Sequence, residues 1–286
     1  MKDIVVIYHA NCPDGFGGAY AAWKKFGDSA DYIAGHHGTV PPEGLEEKEV
    51  YLIDYSYTKD TMLALEQKVK KLMVLDHHIG AKDATEAVRE HVFDNDQSGA
   101  GLAWRYFHPA EPVPRMISYI EDADLFRDAL PHTQEMSIFM SIQPREFPHY
   151  DRLAHLLQTE EGFREVCQTG ESYGEYLGAT CDFLAAKAEE VEFEGHHVFA
   201  VNVKGTQIMR DEIGIRLYRR QQRPFAIIWN EDSVARGFSM RGDGTVDLAK
   251  IAQKYGGNGH IGAASFRLPL DTPLPFTYIK NENPRV

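Results

Sequence analysis

The sequence predicts an α/β protein in two domains: an N-terminal parallel sheet with helices on both faces, then a smaller C-terminal α/β unit. Three observations predict it. Residues 4–75 alternate short apolar runs with helically spaced segments. At 286 residues the chain is longer than one hydrophobic core usually serves. Beyond a long helical stretch at 171–190 the pattern changes, with strands, an Arg-rich helix and a glycine-rich segment.

Residues 4–8, Ile-Val-Val-Ile-Tyr, form a continuous apolar run, the pattern of a strand covered on both faces. A polar, Gly-containing turn leads into 16–26, rich in Ala, Gly and aromatics, which reads as a helix packed on the sheet. Residues 50–53 repeat the strand pattern and stop at Asp54; 58–69 place Met62, Leu65 and Val69 at helical spacing; 72–75 is the next strand. That βαβαβ order implies parallel strands with right-handed crossovers. Residues 117–126 read as an apolar helical segment closed by Asp122 and Asp124. Residues 171–190 form a long helix, with Tyr176, Ala179, Phe183 and Ala186 three or four apart. Strands at 197–203 and 224–230 flank a helix around 210–223, and a strand at 234–240 and a short helix at 248–255 follow. The expected division is 1–170, a linker helix 171–192, and 193–286.

Composition narrows the function. Apolar and charged fractions of 43% and 26% are ordinary for a globular enzyme. No run of about 18 apolar residues exists, so no membrane is expected as a partner. The N-terminus turns polar too soon for a signal peptide and reads as the first strand. Three widely spaced cysteines, Cys12, Cys167 and Cys181, show no metal-type pairing and suggest a reducing, cytoplasmic setting. A net charge of −13 lacks the basic face of a protein that tracks long nucleic acid, which favours a short phosphorylated ligand.

The polar residues then fall in a pattern. Ligands of open parallel sheets bind outside the carboxyl ends of the strands. His9, Asn11 and Asp14 follow the first strand, Asp54 a second, and Asp76, His77 and His78 a third. Each buried polar group without a partner costs roughly 1–3 kcal/mol. A divalent metal offsets that cost, and His with Asp is a suitable ligand set. A single Asp at such a place is as readily a helix cap; three strand ends of this kind are harder to explain so. Either Asp122 or Asp124 could complete a two-metal site, since a helix C-terminus disfavours acidic groups with no other use. In the second half, Gly257, Asn258, Gly259 and His260 form a loop whose amides suit an anion, and Arg241 offers a second phosphate donor.

Together these motifs resemble the DHH phosphoesterase superfamily, in the branch with a C-terminal DHHA1 domain, over almost the whole chain. Asp76-His77-His78 matches the motif that names the family. His9 to Asp14 resembles its first motif, Asp54 its second and Asp122 its fourth, while residues 256–266 resemble the glycine–His signature of DHHA1. Asp122 fits the family spacing better than Asp124, through Asp122-x-x-x-Phe126. One departure stands out. The family's first motif commonly reads His-x-x-x-Asp-x-Asp, whereas here one residue is inserted and Phe16 replaces the second Asp.

The resemblance implies two divalent ions, usually Mn2+, with Mg2+ or Co2+ as substitutes. His9, Asp14, Asp54, His77 and Asp122 are the implied ligands, with Asp54 bridging. His78 is the implied contact to the scissile phosphate, Asp76 the group that orients His77 or completes the shell, and Asn11, otherwise placed among the substrate-binding residues, or water a substitute for the missing carboxylate. Arg241 and residues Gly257, Asn258, Gly259 and His260 are the implied grip on the substrate. The expected activity is hydrolysis of short oligoribonucleotides or linear dinucleotides to mononucleotides. The alternatives are a nucleotide phosphomonoesterase or pyrophosphatase, and a nucleotide-binding regulator with decayed activity. A short RNA, a dinucleotide or another small phosphate ester is the expected partner; a homodimer is compatible with the sequence.

Overall fold

The computed structural model describes residues 1–36 and 38–279; residues 280–286 of the expected second domain lie outside the described residues. The chain divides into two compact units, Met1–Tyr173 and Gly174–Val286.

The first unit is built on β1 (Ile4–His9), β2 (Ala30–Gly35), β3 (Glu49–Ile53), β4 (Lys71–Asp76) and β5 (Glu90–Phe93). All are parallel, in the order β2-β1-β3-β4-β5. Its helices are α1 (Pro13–Phe26), α2 (Lys59–Glu66), α3 (Lys82–Thr85), α4 (Gly99–Phe107), α5 (Arg115–Asp124), α6 (Thr133–Ser141) and α7 (Phe147–Leu156), and α8 (Glu160–Ala185) begins in it. Successive side chains of a strand point to opposite faces, and both faces here are covered. Val6, Tyr51, Ile53, Met73 and Leu75 join a core with Phe16, Trp104 and Ile117 of α1, α4 and α5. Val5, Ile7, Val50, Leu52, Leu72 and Val74 join another with Met62 and Leu65 of α2 and Ala84 of α3. Burying each of these larger apolar side chains contributes about 1.5–3 kcal/mol. That is why the central strands read as unbroken apolar runs.

The edge strands β2 and β5 are only partly buried and lack such runs, so the sequence does not announce them. The strand order also fixes where a ligand belongs. From β1 the chain passes outward to β2, then returns to β1's other side as β3. The carboxyl ends of β1 and β3 therefore border the crevice where the winding reverses.

The helix expected at 171–190 starts earlier, as α8, and the next strand is already formed at Glu189. The second unit holds β6 (Glu189–Phe193), β7 (His196–Asn202), β8 (Phe225–Glu231), β9 (Ala235–Gly242), β10 (Asn258–His260), β11 (Ala263–Pro269) and β12 (Thr277–Tyr278). They form one mixed sheet, ordered β10-β11-β9-β8-β7-β6-β12. Helix α9 (Gln207–Arg220) makes the crossover between the parallel pair β7 and β8. It packs Ile213 and Leu217 on one face with Val201 and Ile228. Helix α10 (Leu248–Lys254) packs Ile251 and Ala252 in a separate core with Phe193, Phe238 and Phe266. Among the described residues no helix is long and apolar enough to cross a membrane.

Candidate metal centre

Each strand end delivers its side chains through a specific backbone device. After β1, Asn11 takes a left-handed conformation (φ 59°), and Pro13 opens α1 at a position where its missing N–H costs nothing. Asp14, in the first turn of α1, reaches across to the start of α4. Its Oδ2 accepts from the Gly99 amide at 2.6 Å and its Oδ1 from the Ala100 amide at 3.0 Å. Asp54, just past β3, is also left-handed (φ 55°), and its amide donates to the Leu75 carbonyl at 2.8 Å. Bulky residues are strained there, whereas Asp and Asn are tolerated.

Asp54 lies between two imidazoles. His77 Nε2 is 3.1 Å from its Oδ1 and His9 Nδ1 is 3.2 Å from its Oδ2. His77 Nε2 is also 3.5 Å from Asp124 and 3.8 Å from Asp14. Asp14, Asp54 and His77 form a buried floor, while the side chains of His9, His78 and Asp124 keep 23%, 24% and 26% exposure at the open side. Asp76 has a different task. Its Oδ1 accepts from the amides of His77 (2.8 Å) and His78 (3.1 Å) and lies 2.8 Å from His78 Nδ1. Its Oδ2 accepts from the Ser56 hydroxyl at 2.6 Å. It holds the turn that aims both imidazoles.

Close approach by glycine makes this geometry accessible. A Cβ added to Gly99 would stand 2.4 Å from the Asp54 Cβ, and one on Gly15 would stand 2.3 Å from the His9 carbonyl oxygen. Gly99→Ala is therefore expected to cost about 1–3 kcal/mol by overpacking and to push Asp54 out of line. Thermal denaturation checks it: an unchanged midpoint would mean that α4 shifts without resistance.

No protein-family model matches the chain. An uncharacterised protein of Acanthamoeba polyphaga mimivirus is 24% identical, the match covering 95% of this chain and 69% of the viral protein. Among solved structures, an exopolyphosphatase-related protein from Bacteroides fragilis is similar with a TM-score of 0.54 at 13% identity, covering 93% of this chain and 86% of its own. A pGpG-specific phosphodiesterase from Vibrio cholerae is similar with a TM-score of 0.50 at 13% identity, covering 94% of both chains. The chain shares the fold of these two proteins.

Within this fold the two acidic candidates at the end of α5 lie in different surroundings. Asp122 accepts from the amides of Ala129 and Leu130 (3.1 and 3.2 Å) and the Thr133 hydroxyl (2.5 Å), and so ties down the loop after α5. Asp124, two residues on, is the carboxylate beside His77. Phe16 sits in an aromatic cluster with Phe147 and Tyr150, at centroid distances of 5.0 and 4.6 Å. Asn11 is exposed, and its carbonyl accepts from Arg145 at 3.1 Å. Arg145 had no signal in the sequence, because it arrives from the loop before α7.

The second unit gives its expected residues internal tasks. Each guanidinium nitrogen of the largely buried Arg241 has a partner: Nε and one terminal nitrogen lie 2.6 Å from Asp211, and the other donates to the Met240 carbonyl at 2.7 Å. Gly257, Asn258, Gly259 and His260 fall in and beside the β10–β11 hairpin. A Cβ on Gly257 would meet the Ser265 carbonyl at 2.1 Å, and the Gly259 amide is taken by Asn258 Oδ1 at 2.8 Å.

The electrostatics of the cluster test its fitness for cations. Burial, then the charges of Asp54 and Asp124, push Asp14 well above the usual carboxylate range. Burial and Asp54 raise Asp124 likewise. Burial would also raise Asp54, but the imidazoles of His77 and His9 overcome it and hold Asp54 low. Burial opposes charge on His78 too, yet Asp76 and Asp54 raise it to about 10. The protein alone thus holds protons where three carboxylates converge, and divalent cations would supply that charge instead. Among the described residues three overlapping donor groups exist: His9–Cys12–Asp54, Asp54–His77–His78 and Asp14–His77–Asp124, the ligand atoms of each lying within 4.8 Å of one another. Carboxylate and imidazole donors of this kind suit Mn2+ and its neighbours.

Because ligating imidazoles must be neutral, ion binding expels protons, and apparent affinity is expected to rise with pH. The slope is about tenfold per pH unit for each proton displaced. Chelator-competition titrations with Mn2+ between about pH 6 and 8 measure it; a flat affinity would mean that no imidazole ligates.

Proposed function

We propose that the chain is a divalent-metal-dependent phosphodiesterase that hydrolyses short oligoribonucleotides or linear dinucleotides to mononucleotides. The observation that carries the reading is Asp54, placed between His9 and His77 at the crevice between β1 and β3, with Asp14 and Asp124 converging on the same imidazole. His9, Asp14, Asp54, His77 and Asp124 would hold the ions, with Asp54 and His77 each serving more than one donor group. Two divalent ions held there would supply an acidified water and neutralise the charge that develops on the phosphate. The chain's own residues do the rest. Asp76 holds the His78 ring through Nδ1, and as an imidazolium that ring would donate to the scissile phosphate. Arg145, anchored on the Asn11 carbonyl, adds positive charge beside β1's carboxyl end.

A short substrate is supported by the net charge of −13, which gives no extended basic track. It is also supported by the pGpG specificity named for the similar Vibrio cholerae protein. A cytoplasmic setting and Mn2+ as the working ion belong to the same reading. The test is release of mononucleotides from a labelled dinucleotide, with Mn2+ and with excess chelator. Metal-dependent turnover that declines as the substrate lengthens from two to about ten nucleotides is expected. Turnover only of polyphosphate or mononucleotides would move the chain to the phosphomonoesterase or pyrophosphatase class. Tight binding without turnover would make it a regulator.

A further inference from the structure

The first motif leaves a gap that Phe16 does not fill. Its ring is 2% exposed and enclosed by Tyr8, Phe147 and Tyr150, at 5.7, 5.0 and 4.6 Å between centroids. That position on α1 serves the core and brings no donor to the cluster. The inserted residue lies elsewhere, in the turn between His9 and α1. There the left-handed Asn11 and the helix-opening Pro13 bracket Cys12, whose Sγ lies within 4.8 Å of the ligand atoms of His9 and Asp54. The other two cysteines differ. Cys167 is buried in the main core of the first unit and Cys181 in the core under α9, both among apolar neighbours.

We propose that Cys12 is a thiolate ligand of the ion held by His9 and Asp54, taking the place of the carboxylate that Phe16 displaces. The inference rests on the metal-dependent reading above and deepens it. When the ion enters, the S–H bond breaks, the proton leaves to solvent, and the sulfur electron pair forms the bond to the metal. The charge contributed equals that of the missing carboxylate, so the balance of the centre is kept. Its chemistry is not. Sulfur is a softer donor than carboxylate oxygen, which shifts preference at this position away from Mg2+ and towards ions such as Co2+ or Zn2+.

Cobalt(II), added to the chelated full-length protein, is the probe. The wild type is expected to show visible ligand-field bands together with a near-ultraviolet sulfur-to-cobalt charge-transfer band. Cys12→Ser and Cys12→Asp are expected to lose the near-ultraviolet band and to keep visible bands, with circular dichroism unchanged. Cys12→Asp restores a carboxylate, so it reports even if the serine variant folds poorly, and the wild-type spectrum stands without either. Visible bands without the near-ultraviolet band in the wild type would overturn the thiolate while leaving the metal centre intact. So would a near-ultraviolet band that persists in both variants. Absence of all cobalt bands from the wild type would remove the metal centre itself, and Cys12's role with it.

Discussion

Asp54→Asn will lower kcat/KM on a dinucleotide by at least about 10³-fold, equivalent to about 4 kcal/mol of lost transition-state stabilisation. Asparagine is the informative replacement because it keeps the volume and tolerates the left-handed backbone that Asp54 adopts (φ 55°). Alanine would mix backbone strain with loss of charge. Both carboxylate oxygens are in use, one towards His77 and one towards His9. The amide keeps the shape but removes the charge that two donor groups share. The fold is expected to remain, since the Asp54 amide hydrogen bond to Leu75 belongs to the backbone. Steady-state kinetics with circular dichroism measure both. Near wild-type turnover that still requires metal would take Asp54 out of the centre.

Asp124→Asn and Asp122→Ala will fail in opposite ways. Asp124 has a partly exposed carboxylate beside His77, so its amide variant is expected to lose at least about 100-fold in activity, as removal of a single electrostatic stabiliser does. Its melting point is expected to stay close to that of the wild type. Asp122 gathers two amides and a hydroxyl from residues 129–133. Hydrogen bonds to a charged group contribute roughly 1.5–3 kcal/mol each, and not additively. Asp122→Ala is therefore expected to destabilise the protein by about 2–4 kcal/mol, read by denaturant unfolding. Activity lost in Asp122→Ala at full stability, with Asp124→Asn unaffected, would return the role to Asp122.

That pair also marks how far the sequence carries. Asp76-His77-His78 was legible because a buried strand makes any polar residue at its mouth conspicuous. Asp54 and His9 were legible for the same reason, and parallel pairing then brought them together. The choice between Asp122 and Asp124 was not. Two positions at the end of α5 point in different directions, and the partners that claim Asp122 lie in a loop that follows the helix. The placements of Arg145 and Cys12 were not legible, on other grounds. Arg145 meets Asn11 only through tertiary packing, and a single cysteine acquires meaning only from what its turn places next to it. In the second unit the glycines suggested amides open to a ligand, and the close approach that the structure places at Gly257 is to Ser265 of β11.

The hold of α4 on Asp14 has a kinetic consequence. With Oδ2 and Oδ1 already bound by the Gly99 and Ala100 amides, this carboxylate has little rotamer freedom left to lose when an ion arrives. Asp76 holds the backbone of the His77–His78 turn and the His78 ring in the same manner. Ion exchange at such a centre would then be set by how readily the ion sheds its own water shell, with little rearrangement of the protein. An ion that dehydrates reluctantly, as Mg2+ does, would enter slowly through a protein already arranged to receive it.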